Sequence, residues 1–272
     1  MKRFWKEVAV EPAVFRDGPS TSSVPPQDER AFQETAHPEE RLRSRAAASR
    51  SRVSKDGWRV TLDGRPIRTQ GGQPQVVPTP SLAEAMAGEW RAQGEEVGPQ
   101  AFPLRDLADF AIDHIANDRT GTIDKLLAYA ETDTLCYRAD PDEPLYRRQR
   151  ELWEPLVAAF EARHAVRLER VSGVIHRPQP AETIERLRFV LERQDDFTLS
   201  ALSILAPLAA SLTIALTALE PGADIPALFA AANCEQDWQA ELWGWDPLAE
   251  QARARRLASF EAAAEFARLA RG

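Results

Sequence analysis

GWRVTLDGRPIRTQGGQPQVV, residues 57–77, is the stretch whose reading decides the fold. Trp58, Val60 and Leu62 alternate with polar neighbours, which places them on one face of a strand. Asp63-Gly64 then supplies the residue pair favoured by a two-residue hairpin turn, and Arg65 to Thr69 runs back. Gly71-Gly72 turns the chain again, and Pro74 to Val77 is expected as a further strand. The unit reads as a small β-meander.

C-terminal to Pro80 the period changes from two to about 3.6. Leu82, Met86 and Trp90 recur at i, i+4 and i+8, and Gly94 closes that helix. Leu104, Leu107, Ala108, Ala111 and Ile115 form the next stripe. Helices are also expected over Gly121 to Glu131, Pro144 to Arg163 and Ala181 to Gln194. One short strand is expected around Val166, Leu168 and Val171. After Phe197 the pattern stays helical almost to Arg271, with breaks at Pro221-Gly222 and between Gly244 and Pro247. N-terminal to the meander, MKRFWKEVAV reads as a strand with Phe4, Val8 and Val10 on one face. Between them, Pro12 to Lys55 shows almost no apolar periodicity and reads as a flexible, disordered insertion. Its second half, Arg41 to Lys55, carries six basic residues and no acid, the composition of a solvated run or of an arm for anionic surfaces. The expected fold class is therefore α+β. A small N-terminal β-meander domain (1–80, with 12–55 as insertion) precedes a larger, mainly helical domain (81–272).

Phe197 to Leu219 has no charge over 23 residues and is long enough to cross a bilayer. Pro207, six Ser or Thr hydroxyls and acidic flanks argue instead for one or two helices buried in a globular core. The formal net charge of −8 disfavours general nucleic-acid binding, which relies on clustered Lys and Arg. Two widely separated cysteines, Cys136 and Cys234, suggest neither a disulfide framework nor zinc.

Templates for chemistry fail in turn. No GxGxxG or GxxxxGK[ST] occurs, and His37, His114, His164 and His176 sit without HExxH spacing or a GxSxG nucleophile. Catalytic, cofactor and metal sites are accordingly not expected. Asp106, Asp109 and Asp113 share a helical face and could hold a hard cation or act as acid and base, but read as the wet side of an amphipathic helix. Asp133 reads as a cap or turn residue. A small-molecule hydrolase using carboxylates of the helical domain stands as the alternative, and it requires a deep pocket with converging Asp or Glu.

One feature remains, and it is electrostatic. Between Arg193 and Arg253 there is no Lys or Arg, while nine acids accumulate. The end of this stretch, DWQAELWGWD (Asp237 to Asp246), adds Trp238, Trp243 and Trp245. Tryptophan with nearby carboxylates is the composition of an interface hot spot; ordinary core with solvated acids is the competing reading. On a helix, Trp238 and Leu242 would face inward, with Asp237 and Glu241 stacked at i, i+4 on an adjacent strip. Two carboxylates so placed repel unless a cation arrives, and a partner Arg or Lys could supply it.

Six ordered motifs, KRFWKEV (Lys2 to Val8), LDGRPIRT (Leu62 to Thr69), EWRAQGEEV (Glu89 to Val97), PLRDLADFAID (Pro103 to Asp113), DTLCYRA (Asp133 to Ala139) and DWQAELWGWD, resemble the Atp-twelve chaperone family, also called ATP synthase mitochondrial F-one complex assembly factor two. The resemblance covers nearly the whole chain except Pro12 to Lys55. It implies a chaperone that binds the free alpha subunit of the ATP synthase catalytic head until that subunit pairs with beta. It further implies that Glu241 is the functionally important acid of the motif, with Asp237, Gln239, Trp243 and Asp246 as accompanying partner-binding residues. No nucleic acid, cofactor or stable membrane insertion is expected, and the free protein is expected to be a monomer. Two departures are the length of the insertion and Asp109-Phe110 where Asn-Thr is more typical. No leader is visible, which fits a cytoplasmic bacterial member or a mature form; eukaryotic relatives belong to the mitochondrial matrix.

Overall fold

The computed structural model describes residues 2–13, 57–98, 101–173 and 176–272. The expected insertion lies outside them except at its first two residues, and the basic run Arg41 to Lys55 lies wholly outside. Pro12 still belongs to the first strand, and Ala13 N donates to Gly57 O at 2.7 Å.

Strands β1 (Val8–Pro12), β2 (Trp58–Leu62) and β3 (Arg65–Pro66) form an antiparallel sheet in that order, with Val10 opposite Val60. Asp63 and Gly64 take φ of 49° and 76°, the two left-handed conformations that a tight hairpin turn requires. The Asp63 carboxylate also accepts from Lys6 N and Glu7 N, at 3.0 and 2.8 Å, so the turn fastens the chain entering β1. Those bonds interrupt the N-terminal strand. Phe4 therefore points to solvent, against expectation, and Trp5 is buried edge-on to Trp90 at 4.9 Å. Pro74 to Val77 contributes two isolated bridges, Arg68 with Pro74 and Trp58 with Val77, instead of a continuous strand. Prolines at 66, 74 and 78 remove the N–H groups that a longer ladder needs.

Helix α1 (Pro80–Arg91) begins where Thr79 Oγ1 accepts from Leu82 N at 3.1 Å with proline in the first turn, and it buries Leu82, Met86 and Trp90 as their spacing requires. Helix α2 (Pro103–Phe110) continues into a π-helical turn over Ala111–Ile115. Next come α3 (Arg119–Glu131), a 3-10 turn over Thr134–Cys136, β4 (Tyr137–Arg138), α4 (Pro144–His164) and β5 (Val171–Ser172). Of the short strand expected around Val166, Leu168 and Val171, only Val171 is in one: β5, parallel to β4, begins there, and Val166 and Leu168 lie outside it. The C-terminal half comprises α5 (Ala181–Glu192), α6 (Asp196–Ala209), α7 (Leu212–Thr217), α8 (Ile225–Ala232), α9 (Cys234–Trp243) and α10 (Pro247–Arg271). The chain is α+β.

The uncharged stretch Phe197 to Leu219 supplies α6 and α7, separated where Ala210 enters the left-handed region at φ 47°. Helix α6 is the centre of the core and packs against α2, α3, α7 and α10. Among the described residues no helix is long and apolar enough to cross a membrane. One hydrophobic cluster runs from Trp5, Val60 and Leu62 through α1 and α6 to Phe260 and Phe266 of α10. Asp133 ties two elements together from a fully buried position: its carboxylate accepts from Leu135 N at 3.1 Å and from Thr213 N at 2.9 Å, at the starts of the 3-10 turn and of α7. Burial pushes its carboxyl above the usual range, against those hydrogen bonds.

Candidate functional site

The residues of DWQAELWGWD form a corner on the protein surface, made by α9, a turn at Gly244–Trp245 and the start of α10. Gly244 has φ 88°, which only glycine adopts readily, so α9 stops there. Asp246 restarts the helix: its Oδ1 accepts from Leu248 N and Ala249 N, both at 2.9 Å, ahead of Pro247 in the first turn. This capping is what the structure gives Asp246 to do. Gln239 is exposed on α9.

The corner displays apolar side chains. Leu242 is 56 % exposed, Trp243 78 %, Trp245 39 % and Leu248 73 %. A folded chain scatters single apolar residues over its surface, but four large ones within seven consecutive positions make a patch. The inward placement of Leu242 expected from helical spacing does not occur, and Trp238 is only half-buried. Cys234 is the one buried residue of α9, because arginines from the flanking helices meet its inner face in place of an apolar stripe.

Those arginines also change the electrostatic reading. The Asp237 carboxylate accepts from Arg253 of α10 in a two-pronged grip at 2.7 and 2.6 Å. Glu241 is held likewise by Arg148 of α4, with Arg148 Nη2 at 2.7 Å from Oε1 and Nη1 on Oε2. The Arg148 guanidinium holds the Glu241 carboxyl below the usual value, and its own pKa rises in return. Its cation also sits 5.6 Å from the Trp238 ring, while Arg253 lies 5.8 Å from Trp245. Elsewhere in the acidic stretch, Asp196 pairs with Arg119 and Glu220 with Arg163. The cations that the sequence run lacks come from other parts of the same chain. Arg148 lies 93 residues from Glu241, and its place in YRRQRELW, among other arginines of α4, gives no sign of that pairing.

Of the three aspartates expected on a wet face, Asp106 is exposed, but Asp109 and Asp113 are engaged within the fold. Asp109 is buried, accepting from Gln75 Nε2 at 2.5 Å and Gln70 N at 3.2 Å, and burial raises its pKa. Asp113 accepts from Thr69 Oγ1 at 2.7 Å and Gly71 N at 2.8 Å. Both fasten the Gln70–Gln73 turn to the helical body. A surface groove of about 370 Å³ between α2, α6 and α10 has Asp106 as the one carboxylate among its lining residues, and that group pairs with Arg105 at 2.6 Å. Among the described residues no cluster of His, Cys, Asp or Glu is arranged to hold a metal ion.

A family model described as ATP12 chaperone protein matches residues 41–161. The crystal structure of Atp12 from Paracoccus denitrificans is 32 % identical, with a TM-score of 0.79 over 99 % of this chain and 98 % of that one. The chain belongs to the ATP12 chaperone family. A mitochondrial protein of Schizosaccharomyces pombe, atp12, is 27 % identical over 197 residues, 68 % of each chain. A structure from Agrobacterium tumefaciens is 34 % identical with a TM-score of 0.76, over 79 % of this chain and 81 % of that one. The family model ends within α4, so it is the whole-chain likeness to the Paracoccus Atp12 that carries the ATP12 assignment through α9 and α10. Membership makes this chain a chaperone by class.

Proposed function

We propose that this chain is an assembly chaperone of the F-type ATP synthase catalytic head, which holds the free alpha subunit until that subunit pairs with beta, and that the α9–α10 corner is the surface that meets the client. The observation carrying this reading is the exposed group Leu242, Trp243, Trp245 and Leu248 in the segment that bears the family motif. A free subunit of a ring exposes the apolar surface destined for its neighbour, which is an aggregation liability until covered. An apolar corner with tryptophan at its apex offers that cover, because Trp contributes large area with few rotatable bonds. Exposed Glu235 and Glu250 add negative charge at the rim and favour a client surface carrying Lys or Arg. Release requires no chemistry in the chaperone: beta and chaperone exclude each other from one surface.

The test is co-purification of the chain with separately expressed alpha and beta subunits. Retention of alpha and not beta, and displacement from alpha by added beta without nucleotide hydrolysis, are the expected results. Equal retention of both subunits would overturn the alpha assignment.

A further inference from the structure

The inference that follows rests on the reading of the α9–α10 corner as the client surface. Helix α9 is an unusual carrier for such a surface, because burial of an apolar stripe does not fix it to the body. Polar tethers do. Arg256 of α10 reaches Asn233 Oδ1 and Gln236 Oε1 at 2.5 and 2.6 Å. Gln149 of α4 donates to Glu235 Oε1 at 2.8 Å, and Arg253 grips Asp237. These four contacts all lie in the first half of the helix or at its cap. The second half, which delivers Leu242 and Trp243, is held to α4 through Arg148 on Glu241 and over the Trp238 ring. Arg253 and Arg256 belong to α10, to which α9 is joined covalently through Gly244–Asp246. Arg148 instead ties the apolar end of α9 to a separate helix.

We propose that Arg148 is a positioning residue for client capture: it sets the angle at which Leu242 and Trp243 are presented, acting through Glu241, whose carboxylate works within the chain and not on the client. Both oxygens of Glu241 are engaged by Arg148, which already occupies the two-pronged geometry that a client arginine would need to grip that carboxylate. The pair is solvent-exposed, and exposed pairs add little to global stability. Breaking it frees the helix end while leaving the fold intact, which separates positioning from folding.

The experiment is a charge-reversal cycle on the full chain, measuring affinity for purified alpha subunit and hydrogen exchange over residues 238–243. Arg148→Glu and Glu241→Arg are each expected to weaken capture by about tenfold, within the coupling range of contacting residues, and to speed exchange at 238–243 with the thermal midpoint unchanged. The double reversal is expected to restore both readouts, and Arg148→Lys, which cannot make the fork, to fall between. A double variant as weak as Glu241→Arg alone would overturn the proposal and make Glu241 a direct client contact. Wild-type capture by Arg148→Glu would overturn it as well. Trp243→Ala serves as the separate arm: wild-type capture by that variant removes the corner as client surface, and the proposal with it. Loss with Trp243→Ala but not with Arg148→Glu removes the positioning role alone.

Discussion

Glu89 offers the sharpest quantitative handle on this fold. Its carboxylate accepts from Leu104 N at 2.7 Å and Arg105 N at 3.1 Å, capping α2 in place of Phe102, which has no side-chain oxygen to do so. Burial beside Trp90 and Phe102 raises its pKa from 4.5 to about 7, against those hydrogen bonds. The sign follows from proton counting. Between pH 4.5 and 7 the folded chain holds a proton on Glu89 that the unfolded chain has lost, so stability falls as pH rises through that window. The contribution is fully present below about pH 4.5 and gone above about pH 7. At about 1.4 kcal/mol per pH unit, the interval sets a ceiling of about 3 kcal/mol. Because the side chain is only partly buried, screening reduces this to about 1–2 kcal/mol. Urea denaturation of wild type and Glu89→Gln from pH 4.5 to 8 isolates the effect, since every other titrating group is common to both. The difference in unfolding free energy, wild type minus variant, should drop by about 1–2 kcal/mol across the window and stay flat above pH 7.5. A difference that is flat throughout, or rises with pH, would refute the reasoning.

Trp153, fully buried in α4, donates from Nε1 to Ala231 O at 2.8 Å and so joins α4 to α8. Trp153→Phe removes that donor and leaves a void, and should cost about 2–3 kcal/mol in chemical denaturation. A Cβ added at Gly71 would lie 2.7 Å from the Asp113 carboxylate. Gly71→Ala should therefore push Asp113 off its bonds to Thr69 and Gly71 and lower stability by about 1–2 kcal/mol, whereas Gly72→Ala meets no neighbour and is strained only by its φ of 81°. Both cysteines are buried free thiols, and burial pushes Cys136 up to about 12. Neither should react with a thiol reagent at pH 8 until denaturant is added; fast labelling of the native chain would contradict the packing around them.

Local patterns in the sequence foretold local structure well. Asp63-Gly64 specifies its own turn, and the 82/86/90 spacing specifies a buried stripe, because each depends on neighbours a few residues away. The hydroxyls and Pro207 within 197–219 likewise marked that stretch as core, though not its division at Ala210. Features set by distant partners were not legible. Phe4 and Trp5 exchange faces because the Asp63 carboxylate, 57 residues on, takes the Lys6 amide and ends the strand early. Asp109 is buried because Gln75 arrives to meet it, and Asp237 and Glu241 are neutralised by Arg253 and Arg148. At the candidate site Trp243, expected to meet a partner, does lie exposed on the surface. Helical projection then assigned Leu242 to the core, since periodicity reports the face of a helix but not what lies against it.

The central claim is that the apolar corner captures the alpha subunit, and titration of purified alpha subunit with wild type and Trp243→Ser/Leu248→Ser tests it most directly. Both side chains are largely exposed, so the double variant should unfold at the wild-type temperature. With two hot-spot contacts removed, the account predicts affinity for alpha lower by about 30-fold or more. Unchanged affinity in a normally folded double variant would contradict it.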